Sequence, residues 1–540
     1  MSKIIGIGPL NGHDPAVSLI VDGKVVFVAE EEKLTGIKST FNRDIFPSKG
    51  LELLKQKFDI DLHTCDHITQ PRAIVKLEAG SWRKYNSIDL MPTEYRTDEI
   101  LNKLNFFSHH QCHALGSYFT SGLEGKTIAL SHDGGGVRSR GKIYLCEDGK
   151  CDLIHSQWYA RTGSLGHLWA LGTIFLGWVE SKDEGKVVGL AAHGQVQPWL
   201  YECFSQSIQY NNLEFKGGDS EPKIWYIFTQ LRNTGFYDNG KNRADFAATM
   251  QKFLEDKIFE LLSDLHQQHP EYRKLSLAGG VFANVKLNQF INELEYFDEI
   301  YIHPAMGDAG LSLGSAICKA VELDEIKKPL KLNHVFFGQN FSEREWNQEA
   351  RKHNVVSEDF NIQRVASLIN AGSVVGLFIG NTEYGPRALG NRSILVRATD
   401  AETHQKLNER LSRNETMPFA PSVLSEYVEE IFECHKSKHA AEFMTMCYET
   451  KDEWVHRIPA VVQQLDKSSR PQIVQREANP LYYDIINEYR KISGLPIVLN
   501  TSLNAHGDPI NNYPHQAMKL LTEGCLDFLV NENKIYSCKY

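Results

Sequence analysis

The sequence lacks the features that mark secreted, zinc-ribbon and membrane proteins. Its ten cysteines form no Cys-x-x-Cys pair, the closest two being Cys146 and Cys151, which predicts reduced thiols and no disulfide framework. No apolar run approaches the roughly 18 residues that cross a bilayer. The first residues, MSKIIGIGPLNGHD, turn polar too early for a secretory signal. We therefore expect a cytoplasmic protein with no membrane partner.

The chain also lacks an excess of positive charge. It has 58 Lys and Arg against 68 Asp and Glu, for a formal net charge of −10. Because a phosphate backbone is bound mainly by basic side chains, no nucleic-acid partner is expected, although local basic clusters remain available. With 540 residues the chain has room for roughly two to four domains, which is ample for an enzyme.

Two similar stretches suggest an internal duplication. KIIGIGPLNGHDPAVSLIVDGKVVFVAEEE reads as a strand, a loop and a hairpin that turns at Asp22-Gly23. KTIALSHDGGGVRSRGKIYLCEDGKCDLIHS repeats this order and turns at Asp148-Gly149. Hairpins are common enough for this to be coincidence; under duplication, two similar sheets face a cleft.

Helical and strand-like runs alternate along the rest of the chain. Helical spacing marks SKGLELLKQKF, ILNKLNFFSHHQCHALGSYFTSG and DFAATMQKFLEDKIFELLSDLHQQH. KLSLAGGVFANVKLNQFI predicts a strand, a glycine turn and a helix, an order that lets backbone approach a nucleotide, although most such turns serve geometry alone. A polar stretch containing Pro329 predicts a domain boundary near residue 340, with a second α/β domain beyond it.

Three histidines lie close together in FFSHHQCHALGSYF. On a helix, His109 and His113 share one face, and so do His110 and His113. This spacing is more often a surface or core feature, so it favours a metal site only if carboxylates from other loops join it. Asp133 in SHDGGG and Asp308 in HPAMGDAG follow strand-like runs and are candidates for that role.

Other candidates are titratable or basic groups in loops. His13 in NGHDPA is either a titratable group at a cleft or part of an ordinary loop. Arg387, Arg392 and Arg397 recur every five residues in EYGPRALGNRSILVRA. Guanidinium groups in such loops suit a phosphate or carboxylate ligand, with a solvated basic rim as the alternative. NTSLN adds amide and hydroxyl donors after a strand.

In this order, the motifs resemble the O-carbamoyltransferase family of nodulation and antibiotic biosynthesis. The resemblance is carried by GHDPA, SHHQCHA, SHDGGG, EGKVVGLAAHG, LAGGVFAN, GDAG, GPRALGNRSIL, PFAPSVL, RPQ and NTSLN, which span essentially the whole chain. It implies an α/β fold. A duplicated actin-like ATPase domain that transfers the carbamoyl group would occupy residues 1–340, and a YrdC-like domain that forms carbamoyl adenylate would occupy residues 341–540. A homodimer is a possible assembly.

The resemblance also implies a reaction. In the family, the YrdC-like domain converts carbamoyl phosphate and ATP to carbamoyl adenylate, as carbamate attacks the α-phosphorus and pyrophosphate leaves. The N-terminal site then passes the carbamoyl group to a hydroxyl of a small-molecule or glycan acceptor that the sequence does not identify. The alternatives are a threonylcarbamoyl- or hydrogenase-maturation-type enzyme, which the acidic balance and the missing Cys-x-x-Cys motifs disfavour, and a nucleotide-binding regulator without catalysis.

The resemblance further implies the site residues. The implied ligands of a divalent metal, iron first and Mg²⁺ or Mn²⁺ otherwise, are His109, His113, Asp133 and Asp308, with His110 a neighbour. The implied catalytic residues are His13, Lys38 and Arg387, and our hypothesis is that His13 is the base that deprotonates the acceptor. The implied nucleotide and carbamoyl phosphate residues are Gly134, Gly135, Gly279, Gly280, Asn284, Arg413, Arg470, Asn500 and Ser502.

One departure from the family leaves a position open. Many members carry a lysine where this chain has Leu411. The second cation of the carbamoyl phosphate pocket is then either Arg410 or Lys406.

Overall fold

The chain consists of two compact units. The computed structural model describes residues 1–10, 13–38, 46–72, 91–135, 139–158, 163–217, 220–412 and 418–538. The first unit comprises Met1–Glu31 and Ser39–Leu332, and the second comprises Glu32–Lys38 and Asn333–Tyr540. The second unit therefore includes a short segment from near the start of the chain. In the described ranges, no helix has the length and apolarity that a membrane crossing requires.

Strands of the first unit form two five-stranded sheets and one small two-stranded sheet. They are β1 (Lys3–Gly8), β2 (Ala16–Val21), β3 (Lys24–Glu30), β4 (His67–Arg72), β5 (Leu104–Ser108), β6 (Thr127–His132), β7 (Ser139–Glu147), β8 (Lys150–Trp158), β9 (Gln209–Asn211), β10 (Glu214–Lys216), β11 (Lys274–Ala278) and β12 (Glu299–Ile302).

The two five-stranded sheets have the same topology. Their strand orders are β3-β2-β1-β4-β5 and β8-β7-β6-β11-β12. In each sheet, the first three strands in chain order pair antiparallel, and the remaining two extend the sheet in parallel. Both hairpins turn where the sequence predicts, with positive φ at Asp22, Gly23, Asp148 and Gly149, as a two-residue type I′ turn requires. The repeated motif therefore corresponds to a repeated sheet.

The hairpin of β7 and β8 also carries a cysteine pair. Cys146 and Cys151 lie opposite each other in the strand register, and the structure joins them as a disulfide. The prediction that all ten cysteines are reduced is wrong for this pair, because the tight turn brings the two residues side by side. The other eight cysteines form no disulfide.

Helices α1 to α11 precede residue 333. They are α1 (Glu31–Thr35), α2 (Ser48–Phe58), α3 (Asp98–Leu101), α4 (His109–Thr120), α5 (Leu165–Phe175), α6 (Glu184–Ala191), α7 (Pro198–Ser207), α8 (Ser220–Asn233), α9 (Gly240–Gln268), α10 (Val285–Glu293) and α11 (Leu311–Glu322). The helices predicted in SKGLELLKQKF and before Pro270 are α2 and α9. The helix predicted over ILNKLNFFSHHQCHALGSYFTSG is wrong at Leu104–Ser108, because these residues pair in parallel with β4 as strand β5.

Helices α4 and α11 cross closely at two glycines. A Cβ added to Gly116 would lie 2.8 Å from the Cα of Gly314, so no larger residue fits at this crossing. On the side of α11, a Cβ added to Gly6 of β1 would lie 2.0 Å from the carbonyl oxygen of Ser312. On the side of α4, the Ser117 hydroxyl lies 2.7 Å from that of Ser276 in β11. Helix α4 therefore packs against α11 on one side and against β11 on the other.

The second unit contains a mixed eight-stranded sheet, of order β13-β22-β21-β14-β15-β20-β16-β19, and a two-stranded one of β17 and β18. Its strands are β13 (Val356–Asp359), β14 (Val375–Phe378), β15 (Arg392–Val396), β16 (Ala420–Leu424), β17 (Tyr448–Glu449), β18 (Ser468–Ser469), β19 (Gln472–Val474), β20 (Ile497–Ser502), β21 (Phe528–Val530) and β22 (Lys534–Ser537). The other helices are α12 (Glu343–Lys352), α13 (Ile362–Asn370), α14 (Thr403–Arg410), α15 (Val428–Ile431), α16 (Lys438–Ala441), α17 (Asp452–Val455), α18 (Pro480–Ser493) and α19 (Pro514–Thr522). The fold is α/β, as the sequence predicts.

Candidate functional site

Four ligand-type side chains of the first unit converge at the carboxyl ends of its strands. His109 begins α4 directly after β5, Asp133 follows β6, and Asp308 opens a short 3-10 turn in the loop after β12. His113 lies one turn further along α4, on the same face as His109. Helical spacing on α4 therefore brings the two histidines together, and loops after strands of the second sheet supply the two aspartates.

The geometry of this cluster suits a divalent cation. One nitrogen or oxygen atom from each of the four residues lies within 4.8 Å of those of the others. His113 Nε2 is 3.4 Å from Asp133 Oδ2 and 3.4 Å from Asp308 Oδ1, and His109 Nε2 is 3.8 and 3.5 Å from the same atoms. Both Nε2 atoms are buried and make no hydrogen bond. Two imidazole nitrogens and two carboxylate oxygens are a donor set that divalent transition-metal ions accept.

The carboxylates of the cluster are ionised without a metal and favour a proton on His113. Burial lowers the pKa of His113, but the carboxylates of Asp133 and Asp308 more than offset this and raise the pKa to about 9. Burial raises the pKa of the Asp133 carboxyl, yet His109 and His113 hold it well below its ordinary value. The pKa of Asp308 is lowered for the same reason, against the same effect of burial. The two carboxylates thus stay charged and attract a cation.

His110 has a different position from its two neighbours. Its Nε2 donates a hydrogen bond to the carbonyl oxygen of Ser139, at the start of β7, with a length of 2.9 Å. Burial and the adjacent imidazoles of His109 and His113 hold the pKa of His110 well below its ordinary value, so the ring is neutral. His110 contributes no atom to the four-ligand cluster.

His13 lies in the loop after β1 and is influenced by the same carboxylates. Its Nδ1 is 2.8 Å from Asp14 Oδ2. Burial lowers the pKa of His13, but the contact with Asp14 and the charges of Asp308 and Asp133 raise it to about 10. Burial raises the pKa of Glu184, the first residue of α6, and the charge of His13 partly opposes this effect. The sequence interpretation missed Glu184, although its motif EGK was available as a signal.

The predicted nucleotide glycines approach Asp133 closely. A Cβ added to Gly279, at φ +103°, would lie 2.2 Å from the carbonyl oxygen of His132, and one on Gly280 would lie 3.0 Å from Asp133 Oδ1. Gly134 donates its N–H to Asp133 Oδ1 at 2.6 Å, and Gly135 follows as an exposed residue. The structure therefore brings these glycines to one edge of the metal cluster, where backbone can approach a ligand without side chains.

Asn284 is buried and caps a helix. Its Oδ1 accepts hydrogen bonds from the N–H groups of Lys286 and Leu287 in the first turn of α10. Its Nδ2 donates to Gln251 Oε1 of α9 at 2.8 Å. A direct contact of Asn284 with a nucleotide stays a prediction.

The predicted arginines of the second unit divide into two kinds. Arg392 is fully buried and donates to the carbonyl oxygens of four residues and to one hydroxyl, while its guanidinium carbon lies 3.6 Å from the ring centre of Phe378. Burial lowers the pKa of Arg392 to about 10. Arg397 donates to the carbonyl oxygen of Asn370 at 3.3 Å. Arg387, by contrast, is half-buried in the loop between β14 and β15.

Asn500 joins the Arg387 loop to two other strands. Its Nδ2 donates to the carbonyl oxygen of Ala388 at 3.1 Å, and to Ser422 Oγ and Gln472 Oε1 at 3.0 Å each. Ser422 belongs to β16 and Gln472 begins β19, two residues after the half-buried Arg470. Asn500 thereby ties together the loop of Arg387 and the strand beside Arg470.

The remaining predicted residues have these positions. Ser502 is half-buried at the end of β20. Lys38 is half-buried and belongs to the second unit, whereas His13 belongs to the first. Arg413 lies outside the described residues.

Both residues proposed as a replacement for the family lysine are already paired. Arg410 Nη2 is 2.9 Å from Asp527 Oδ1, and Lys406 Nζ is 2.9 Å from Glu402 Oε2. A role in the pocket would require either cation to leave a carboxylate.

Comparisons with known proteins identify the family. Residues 83–317 match the family described as Carbamoyltransferase N-terminus, and residues 366–537 match Carbamoyltransferase C-terminus. Nodulation protein NolNO of Sinorhizobium fredii is 30% identical over 544 residues, covering 96% of this chain and 78% of that protein. Nodulation protein NolO of Bradyrhizobium diazoefficiens is 32% identical over 435 residues, covering 78% and 77%. A crystal structure of full-length HypF in the phosphate- and nucleotide-bound form is 16% identical, covers 59% of this chain and 56% of its own, and has a TM-score of 0.37.

Both halves of the chain match one family, and a relative of that family aligns over nearly the whole chain. The chain belongs to the carbamoyltransferase family and is a carbamoyltransferase, an enzyme that moves a carbamoyl group from a donor to an acceptor.

Proposed function

We propose that the protein is an ATP-dependent O-carbamoyltransferase that carbamoylates a hydroxyl of a small molecule or glycan precursor. The observation that carries the proposal is the buried cluster of two imidazoles and two carboxylates in a chain with both carbamoyltransferase regions. Residues 1–340 would form an actin-like ATPase domain that transfers the carbamoyl group. Residues 341–540 would form a YrdC-like domain that makes carbamoyl adenylate.

The first half-reaction activates the carbamoyl group. Water cleaves carbamoyl phosphate to carbamate and phosphate. A carbamate oxygen then attacks the α-phosphorus of ATP, the bond between the α-phosphorus and the bridging oxygen breaks, and pyrophosphate leaves with the electron pair. The half-buried Arg387 and Arg470 are the guanidinium groups that would orient these anions and balance the charge that develops.

The second half-reaction transfers the group. The acceptor oxygen attacks the carbamoyl carbon, the bond from this carbon to the AMP oxygen breaks, and AMP leaves. His13 would remove the proton of the acceptor hydroxyl, as a base beside the cluster. The glycines at positions 134, 135, 279 and 280 would contact the nucleotide. The catalytic role of Lys38, a residue of the second unit, stays a prediction.

A divalent cation would be held by His109, His113, Asp133 and Asp308. When bound, it supplies positive charge that offsets the nucleotide phosphates and the two carboxylates, which brings the pKa of His13 down from about 10 toward the range of a base. The ligand residues themselves would fix the edge at which the phosphates bind.

Pyrophosphate release and acceptor mass test the reaction together. Purified protein with ATP, carbamoyl phosphate and Fe²⁺, Mn²⁺ or Mg²⁺ should release pyrophosphate. A carbamoylated acceptor should gain about 43 Da, the mass of one carbamoyl group that replaces a hydrogen. Protein that releases no pyrophosphate above background with any of these metals would contradict the proposed function.

Two variants test the division of labour. Arg387→Ala should abolish adenylate formation, since the half-buried guanidinium is removed, while Arg397→Ala, in the same segment, serves as the control. His13→Asn should spare adenylate formation and block transfer. The reverse pattern would refute the assignment of the two half-reactions to the two units.

A further inference from the structure

Lys33 is a buried lysine near the start of the chain, in the short segment that belongs to the second unit. It lies on helix α1, and the segment Glu32–Lys38 belongs to the second unit. Its Nζ donates to the carbonyl oxygen of Glu383 at 2.8 Å and to that of Gly385 at 2.6 Å. A buried ammonium that donates to main-chain oxygens fixes the course of that backbone, since charge-assisted hydrogen bonds are about twice as strong as neutral ones.

The side chain of Glu383 fixes the other end of the same loop. Its Oε1 accepts hydrogen bonds from the N–H groups of Leu389, Asn391 and Arg392, at 3.0, 2.8 and 2.9 Å. Glu383 is buried, so these bonds are shielded from water. The side chain of Glu383 therefore binds the far end of its own loop, which runs from Glu383 to Arg392. The main-chain oxygen of Glu383 is bound by Lys33.

Arg387 lies between two anchored points of this loop. On its carboxyl side, the carbonyl oxygen of Ala388 accepts from Asn500 Nδ2 at 3.1 Å. On its amino side, the carbonyl oxygen of Gly385 accepts from Lys33. Gly385 has φ +100°, a conformation that L side chains rarely adopt and that glycine adopts without strain.

We infer that Lys33 is a positioning residue of the adenylate-forming site, which acts by holding Glu383 and Gly385 so that Arg387 is fixed for carbamoyl phosphate. The inference rests on the proposed function of the second unit. It assigns a role in the first half-reaction to a residue 350 positions before the loop it holds. Lys33 itself need not touch the substrate.

The variants Lys33→Met and Lys33→Arg separate the effect of the hydrogen-bond donors from the effect of side-chain volume. Methionine keeps the apolar stem and removes the donors, whereas arginine keeps charged donors for the two carbonyl oxygens. Lys451→Met is the matched control, because Lys451 also donates to a main-chain oxygen of the second unit, that of Glu429, at 2.7 Å. Steady-state ATP–pyrophosphate exchange that depends on carbamoyl phosphate measures the first half-reaction.

Lys33→Met should lower kcat/KM for carbamoyl phosphate by about 10- to 100-fold, mainly through KM, because a displacement of roughly 1 Å at a positioning group costs this much. Lys33→Arg should stay within about threefold of wild type, since it restores the donors. Transfer from synthetic carbamoyl adenylate should be unchanged in both, and Lys451→Met should behave as wild type.

The outcomes distinguish this inference from the proposed function. If wild-type protein shows no exchange, the proposed function fails. If wild type exchanges and Arg387→Ala does not, but Lys33→Met retains the wild-type KM, the inference fails. A Lys33→Met protein that loses transfer from carbamoyl adenylate also overturns it. Circular dichroism checks folding, and if Lys33→Met does not fold, Lys33→Gln takes its place in the same assays.

Discussion

The metal cluster of the first unit and the Arg387 loop of the second are built in opposite ways. In the cluster, four side chains converge from the ends of three strands. In the loop, the side chains of Lys33, Glu383 and Arg392 bind main-chain groups and define the shape of the backbone. We therefore expect the first unit to stay folded when the metal cluster loses a ligand. The Arg387 loop should instead lose its conformation when one of its anchoring side chains is replaced.

The largest expected effect is a loss of stability when Arg392 is replaced. Arg392→Met removes five hydrogen bonds of a buried side chain, four of them to carbonyl oxygens, so the free energy of unfolding should fall by about 3 kcal/mol or more. Urea denaturation followed by circular dichroism measures this. Arg397→Met, which removes one bond of 3.3 Å, should cost about 1 kcal/mol or less. Equal losses in the two variants would contradict the comparison.

Replacing a ligand of the metal cluster should instead lower metal affinity strongly and change stability little. Asp308→Asn removes a charged ligand, so the affinity for Fe²⁺ or Mn²⁺ should fall by at least about 100-fold, while the free energy of unfolding of the metal-free protein changes little. Titration calorimetry with Mn²⁺ measures the affinity. Glu184→Gln is the control, because it neutralises a nearby carboxyl that is not in the cluster. A variant that keeps its wild-type affinity would remove Asp308 from the ligand set.

Proton competition should make the metal affinity depend on pH. The pKa of His113 is raised to about 9 without metal, so the ring carries a proton below that pH, and a cation must displace it. The apparent affinity should therefore rise about tenfold per pH unit up to about pH 9 and level off above it. Calorimetry in buffers of different ionisation enthalpy counts the released proton. An affinity that is flat between pH 6 and 8 would contradict this prediction.

The sequence predicted well what depends on local spacing. The two hairpins follow from Asp-Gly turns, and the shared face of His109 and His113 follows from the period of a helix. Their convergence with Asp133 and Asp308 came from the family resemblance, because no local pattern places loops of different strands together.

The sequence could not separate residues whose roles depend on distant contacts. Arg387, Arg392 and Arg397 are equally spaced, yet only tertiary packing makes Arg392 a buried donor to main-chain oxygens. Strand β5 was predicted as helix, since its pairing with β4 outweighs its helical spacing. The hydrogen bond from Lys33 to Glu383 joins residues 350 positions apart, and no local sequence pattern predicts such a contact.

His110 gives the smallest expected effect and the finest test of the cluster. His110→Phe keeps an aromatic ring and removes the bond to the buried carbonyl oxygen of Ser139, so the free energy of unfolding should fall by about 1 to 3 kcal/mol. Metal content, measured by inductively coupled plasma mass spectrometry, should stay as in wild type, because His110 Nε2 is committed to this bond. If metal content fell while stability stayed unchanged, His110 would be a ligand and the four-residue cluster would be incomplete.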